Sequence, residues 1–121
     1  MTQILVIDDE AIVRKTIRMA LEGQGYEIFE AGNGIDGLKL AASKSPKLAI
    51  IDILMPDKDG LETILELKRT SPELKFLVMS GGGRTRNTEF LAIAVKLGAD
   101  DFMKKPFDIS TLREKVEALC A

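Results

Sequence analysis

The most constraining feature of this chain is an alternation, repeated five times, of short apolar runs with segments of helical period. Gln3 to Asp8 is too short for a helix, rich in Ile and Val, and closed by the acids Asp8 and Asp9; it reads as a buried strand. Leu48 to Ile51, ending at Asp52, and Phe76 to Met79, ending at Ser80, are built the same way. Tyr26 to Ala31 interleaves apolar residues with Glu27 and Glu30, which predicts a half-exposed strand at a sheet edge. Ala99 to Lys104 gives a fifth short strand. Between the strands, Val13, Ile17, Ala20 and Leu21 mark a helix over Ala11 to Glu22 that ends at Gly23 and Gly25. A second helix spans about Ile35 to Ser43. Leu61, Ile64, Leu65 and Lys68 mark a third, opened by the turn Asp57-Lys58-Asp59-Gly60. A fourth runs from about Thr88 to Leu97, closed by Gly98, and a fifth from Asp108 to Leu119 with Ile109, Leu112, Val116 and Leu119 inward.

Regular alternation of this kind implies parallel strands joined by right-handed helical crossovers, with the three wholly apolar runs in the middle of the sheet. With the second strand at an edge, the simplest order is 2-1-3-4-5, a flavodoxin-like, doubly wound α/β fold. Its ligand site is expected beyond the carboxyl ends of the strands, where the order reverses between strands 1 and 3. Asp8, Asp9, Asp52, Ser80 and Lys105 all fall at that edge.

Composition narrows the chemistry. The 121 residues suit one domain, 1–121, expected to act as a stand-alone module. Seventeen basic and nineteen acidic residues, with no basic run, predict no direct contact with nucleic acid. The apolar stretch Ile4 to Ile7 is stopped at once by Asp8, far short of a signal-peptide core or a spanning helix, so a cytoplasmic protein with no membrane partner is expected. Cys120 is the one cysteine and there is no histidine, which excludes an internal disulfide, His/Cys metal sites and Ser-His or Cys-His pairs. What remains is oxygen-ligand chemistry.

Three acids at one sheet edge repel one another, by about 4 kcal/mol for two charges about 4 Å apart at an effective dielectric near 20. A positive group is therefore expected among them. Mg²⁺ fits, since it takes oxygen ligands, retains waters and is held by one or two carboxylates together with phosphate. Lys105 can add a point charge for phosphate. In such a site a carboxylate can attack phosphorus and become an aspartyl phosphate. Asp52 is the expected nucleophile, lying between the acidic pair and the Ser80/Lys105 pair.

Taken in order, Asp8-Asp9, Asp52-Ile53-Leu54-Met55-Pro56 followed by Asp59-Gly60, then Ser80, then Lys105-Pro106-Phe107 resemble the receiver domains of two-component response regulators over the whole chain. The resemblance implies that Asp52 is the phosphoacceptor. It implies Asp9, Asp52 and the Leu54 carbonyl as Mg²⁺ ligands, with Asp8 acting through water. It further implies Ser80 and Lys105 as the phosphate-sensing pair, Phe102 as a rotameric switch, and a cis peptide at Lys105-Pro106. The donor implied is a phosphohistidine on a histidine kinase or histidine phosphotransfer protein. The output would be an unknown protein engaged through helix 4, strand 5 and helix 5, making the chain a switch and not a metabolic enzyme. Two positions depart from the family pattern: a longer spacing from Ser80 to Lys105, taken up by Gly81-Gly82-Gly83, and an apolar Leu54 two residues after Asp52.

Other readings compete. Gly32-Asn33-Gly34-Ile35-Asp36-Gly37 fits the dinucleotide fingerprint G-x-G-x-x-G, which would make this a small nucleotide-binding module using Gly32, Gly34 and Gly37. The strand before it reads as an exposed edge, whereas that fingerprint follows a central strand, so these glycines are read as a turn and helix start. A receiver that docks partners without phosphorylation is a further alternative. On helix 4, Phe90, Ile93, Ala94 and Leu97 form the expected core stripe, while Leu91 and Val95 lie on another face that is a candidate docking surface.

Overall fold

The computed structural model describes residues 1–53, 60–81 and 92–121. Its strands are β1 (Gln3–Ile7), β2 (Glu27–Ala31), β3 (Leu48–Asp52), β4 (Lys75–Gly81) and β5 (Asp101–Lys105). Its helices are α1 (Ala11–Glu22), α2 (Gly34–Lys44), α3 (Gly60–Thr70), the helical residues 92–97 (α4) and α5 (Ile109–Cys120). All strand pairs are parallel and the order is β2-β1-β3-β4-β5, as the alternation predicts. No helix among the described residues is long and apolar enough to cross a membrane.

The central strands are buried on both faces because helices cover each side. Alternate residues of the strands feed two separate cores. Leu5, Ile7, Ala49, Ile51, Phe76 and Val78 pack with Ala41 of α2, Ile64 and Leu67 of α3 and Ala94 of α4. Ile4, Val6, Leu48, Ile50, Leu77, Met79 and Met103 pack with Ile17 and Leu21 of α1 and Leu112 and Val116 of α5. β2, at the edge, shows the expected half-exposure.

The glycines of the fingerprint segment serve local structure. Asn33 caps α2, its Oδ1 accepting from the Asp36 N–H at 2.8 Å while its Nδ2 donates to Asp36 Oδ2 at 3.2 Å. Gly37 lets α2 close on β1, since a Cβ there would lie 2.5 Å from Ile7 Cδ1.

Ile93 and Ile109, expected inward, are exposed instead, and so is Leu65, one of the residues that mark the third helix. In α3 the buried stripe is Gly60, Thr63, Ile64 and Leu67, so Leu65, rotated about 100° from Ile64, is 57% exposed and Thr63 takes the inward place. In α4 the small Ala94 faces the sheet, which turns Ile93 outward. Ile109 begins α5 one turn before Leu112, past the carboxyl edge of the sheet, where little lies above it. Val95 is exposed, while Phe90, Leu91 and the start of the fourth helix lie outside the described residues.

Candidate functional site

Strand parity builds the site. Asp8 continues the Ile4–Val6 row of β1, Asp52 the Leu48–Ile50 row of β3 and Lys105 the Met103 row of β5, so all three leave the sheet on the α1/α5 face. Asp8 and Asp52 are the first polar residues after wholly apolar rows, and Lys105 follows Met103 in a row that begins at Asp101, so the three charges meet at this edge.

Lys105 joins two of the acids. Its Nζ lies 2.6 Å from Asp8 Oδ2 and donates to Asp52 Oδ2 at 3.1 Å. Asp8 is fully buried and Asp52 only 5% exposed. Burial opposes the charge on Lys105, yet the two carboxylates outweigh it and hold its pKa above the ordinary lysine value. The approach to Asp8 Oδ2 is a charge contact outside hydrogen-bond geometry, and this buried oxygen has no hydrogen-bond partner among the described residues. Asp8 Oδ1, in contrast, accepts from the Glu10 N–H at 2.8 Å and thereby shapes the turn into α1. Glu10, not Asp8 or Asp9, occupies the N-cap position of that helix.

Asp9 is exposed and completes a three-acid group: one carboxylate oxygen each from Asp8, Asp9 and Asp52 lies within 4.8 Å of the others. One ammonium cannot neutralise three carboxylates. The hard oxygen donors and the orphaned Asp8 oxygen suit a divalent cation such as Mg²⁺.

Ser80 is buried at the same edge, one residue beyond Met79, the strand partner of Asp52. It belongs to the Phe76–Val78 row, on the face opposite Lys105. Phe102, in register with Val78 on the outermost strand, is 43% exposed. The Lys105-Pro106 peptide is cis, as the resemblance implies. Leu54, Asp57, Asp59 and Gly82 to Leu91 lie outside the described residues. Gly60 is placed by close approach: a Cβ there would meet the Asp52 carbonyl oxygen at 2.3 Å and Ile53 Cα at 2.5 Å, and its N–H donates to the Ile53 carbonyl at 3.0 Å.

Sequence reasoning did not single out Arg14 or Glu30. Arg14 Nη1 donates to the Asp8 carbonyl at 2.7 Å and its Nε to Glu30 Oε1 at 3.1 Å, while Arg18 Nε donates to Glu30 Oε2. The available signal was Glu30 at the carboxyl end of the edge strand, with two arginines at i, i+4 on the preceding helix.

Comparison with known proteins agrees with this arrangement. Residues 4–117 match the family model described as response regulator receiver domain. The KDP operon transcriptional regulatory protein KdpE of Escherichia coli is 39% identical over 116 residues, which are 96% of this chain and 50% of that protein. The chain thus spans about half the length of the curated relatives it matches, the response regulator MprA of Mycobacterium among them. The receiver domain of NtrX from Brucella abortus superposes with a TM-score of 0.89 at 33% identity, covering 96% of each chain. A CheY-like receiver domain protein from Methanospirillum hungatei gives 0.88 at 29% identity, covering 99% of this chain and 94% of that one.

Proposed function

Because this chain belongs to the response regulator receiver domain family, we propose that it is a phosphorylation-controlled switch whose phosphoacceptor is Asp52. The observation that supports this most directly is the pairing of nearly buried Asp52 with Lys105 inside the three-acid group, beside an Asp8 oxygen that makes a charge contact to Lys105 but has no hydrogen-bond partner among the described residues. A structural ion pair alone does not call for two more acids at the same place.

In the proposed reaction an Asp52 carboxylate oxygen attacks the phosphorus of a phosphohistidine on a histidine kinase or histidine phosphotransfer protein. The new O–P bond forms as the P–N bond breaks, and the imidazole leaves with the electron pair. These 121 residues contain no histidine, so they cannot themselves be the donor. Asp8, Asp9 and Asp52 hold the cation, with the Leu54 carbonyl added on family likeness. The chemistry supplied by a bound Mg²⁺ is neutralisation of charge on the phosphoryl oxygens. Lys105 supplies a second, fixed positive charge that is already in place against Asp52.

The phosphoryl group brings about 1.5 to 2 negative charges. In this reading Ser80 and Lys105 respond to it, Phe102 changes its exposure, and the shift is passed through α4, β5 and α5 to an output partner in the cytoplasm. KdpE is named for transcription and is about twice as long as this chain. For this domain itself a net charge of −2 favours a protein output over direct nucleic-acid contact.

Intact mass after incubation with acetyl phosphate, with and without Mg²⁺, tests the proposal on wild type and Asp52→Asn. A phosphoryl adduct that needs both the metal and Asp52 is expected. An adduct that persists in Asp52→Asn, or none with wild type, overturns the assignment. Calorimetry with NAD tests the competing use of Gly32, Gly34 and Gly37, and no heat of binding is expected.

A further inference from the structure

Arg14 makes the contacts least explained by the reaction above. It is half-buried on α1, between the core residues Val13 and Ile17, yet its guanidinium turns toward the top of the sheet. There it spans two acceptors, the main-chain carbonyl of Asp8, just past β1, at 2.7 Å and Glu30 Oε1 on β2 at 3.1 Å. It also lies against Gly32, where a Cβ would come within 3.5 Å of Nη1.

The carbonyl that Arg14 holds belongs to the peptide linking Asp8 to Asp9. A peptide unit is planar, so fixing its oxygen also fixes the direction in which the Asp9 N–Cα bond leaves the strand. On the other side of the same residue, the Asp8 N–H donates to the Ala31 carbonyl at 3.1 Å. Asp8 is therefore tied through its N–H, its Oδ1 and its carbonyl, and the last tie is the one that reaches forward to exposed Asp9. Only arginine suits this place, because its rigid fork presents separated donors to two acceptors, whereas a lysine ammonium acts from one point.

From this geometry we infer that Arg14, keyed by Glu30, is a positioning residue for the Asp8-Asp9 pair and sets the affinity of the acidic group for a divalent cation. The inference rests on the reading of Asp8, Asp9 and Asp52 as cation ligands. The chain contains its own control. Arg18 pairs with the same Glu30, but its other contact is Glu22 Oε2 at 2.8 Å, away from the acids. If the arginines merely staple α1 to β2, losing either has the same consequence. If Arg14 orients the peptide, only its loss reaches the metal.

The experiment is a calorimetric Mg²⁺ titration of wild type, Arg14→Gln, Arg14→Lys and Arg18→Gln, at a temperature where circular dichroism shows each variant folded. Wild type binds Mg²⁺. Arg14→Gln binds roughly tenfold more weakly, the lower end of the effect of losing a residue that orients a metal ligand, and Arg14→Lys does not restore the affinity. Arg18→Gln binds as wild type does, although its melting temperature falls with that of the Arg14 variants. Unchanged affinity in Arg14→Gln, or an equal loss in Arg18→Gln, overturns the inference and leaves the ligand assignment standing. Absence of Mg²⁺ binding by wild type overturns the ligand assignment and the inference with it. Should Arg14→Gln not fold, the contrast between Arg14→Lys and Arg18→Gln decides the matter.

Discussion

Lys105 Nζ lies 2.6 Å from Asp8 Oδ2, and the two residues reach each other from strands separated in the sheet by β3 and β4. The same ammonium also pairs with Asp52 at 3.1 Å, so one cation serves two of the three acids. Removing one member of a buried pair leaves charge uncompensated, commonly at a cost of about 3–5 kcal/mol. Lys105→Met is therefore expected to lower stability by about 3 kcal/mol without metal. Since a cation bound only by the folded state stabilises it, added Mg²⁺ should recover more melting temperature in Lys105→Met than it adds to wild type. Thermal melts with and without Mg²⁺ check this; equal stability of variant and wild type without metal would show that the ion pair neutralises nothing.

Glu30 gives the fold a dependence on acid. Burial pushes its carboxyl up, but hydrogen bonds and charge from Arg18 and Arg14 prevail and hold its pKa below the ordinary glutamate value. A carboxyl with a lower pKa folded than unfolded contributes its full stability above the unfolded pKa, and that contribution fades as pH falls through the folded one. Because these side chains are partly exposed, the contribution is modest. Glu30→Gln is expected to lose about 0.5–1 kcal/mol at neutral pH. The gap to wild type should narrow below the ordinary glutamate range, and urea melts across that range measure it. A gap that stays constant would refute the linkage.

Gly60 is fixed by sterics. With a Cβ only 2.3 Å from the Asp52 carbonyl oxygen, which is backbone and cannot swing aside, Gly60→Ala must displace α3 or the end of β3. Overpacking of this sort costs about 1–3 kcal/mol. Because the displaced peptide carries Asp52, phosphorylation by acetyl phosphate should also slow, read as adduct formed against time. Gly23→Ala, where the nearest atom to a Cβ is 3.9 Å away, should change neither.

Phe102 and Met103 are adjacent on β5 and face opposite ways. Met103 is 3% exposed in the α1/α5 core, while Phe102 is 43% exposed. Met103→Ala is expected to cost about 2–5 kcal/mol and Phe102→Ala under about 1 kcal/mol, as measured by chemical denaturation. If Phe102 reports the phosphoryl state, Phe102→Ala should leave adduct formation intact and weaken binding of the output partner. Comparable destabilisation by both substitutions would contradict the assigned faces.

The sequence by itself determined the strand order and most of the site, because both follow from local pattern. A strand reads as buried when its residues are apolar, and the residue two places after Val6, Ile50 or Met103 must emerge at the carboxyl edge on the same side. That period-2 rule places Asp8, Asp52 and Lys105 together before any distance is known. The tertiary structure decided what depends on contacts between distant segments. Hydrophobicity alone put Ile93 and Ile109 inward and used Leu65 only to mark its helix, but a helix turns to bury whatever shape closes best on the sheet, and there Thr63 and Ala94 fit. Gly60 looked like a turn residue until the end of β3 was found lying against it. Nothing in their own segments links Arg14 to Glu30. Only the pairing of β1 with β2 lays the Asp8 carbonyl and the Glu30 carboxylate side by side beneath α1, where one guanidinium can hold both.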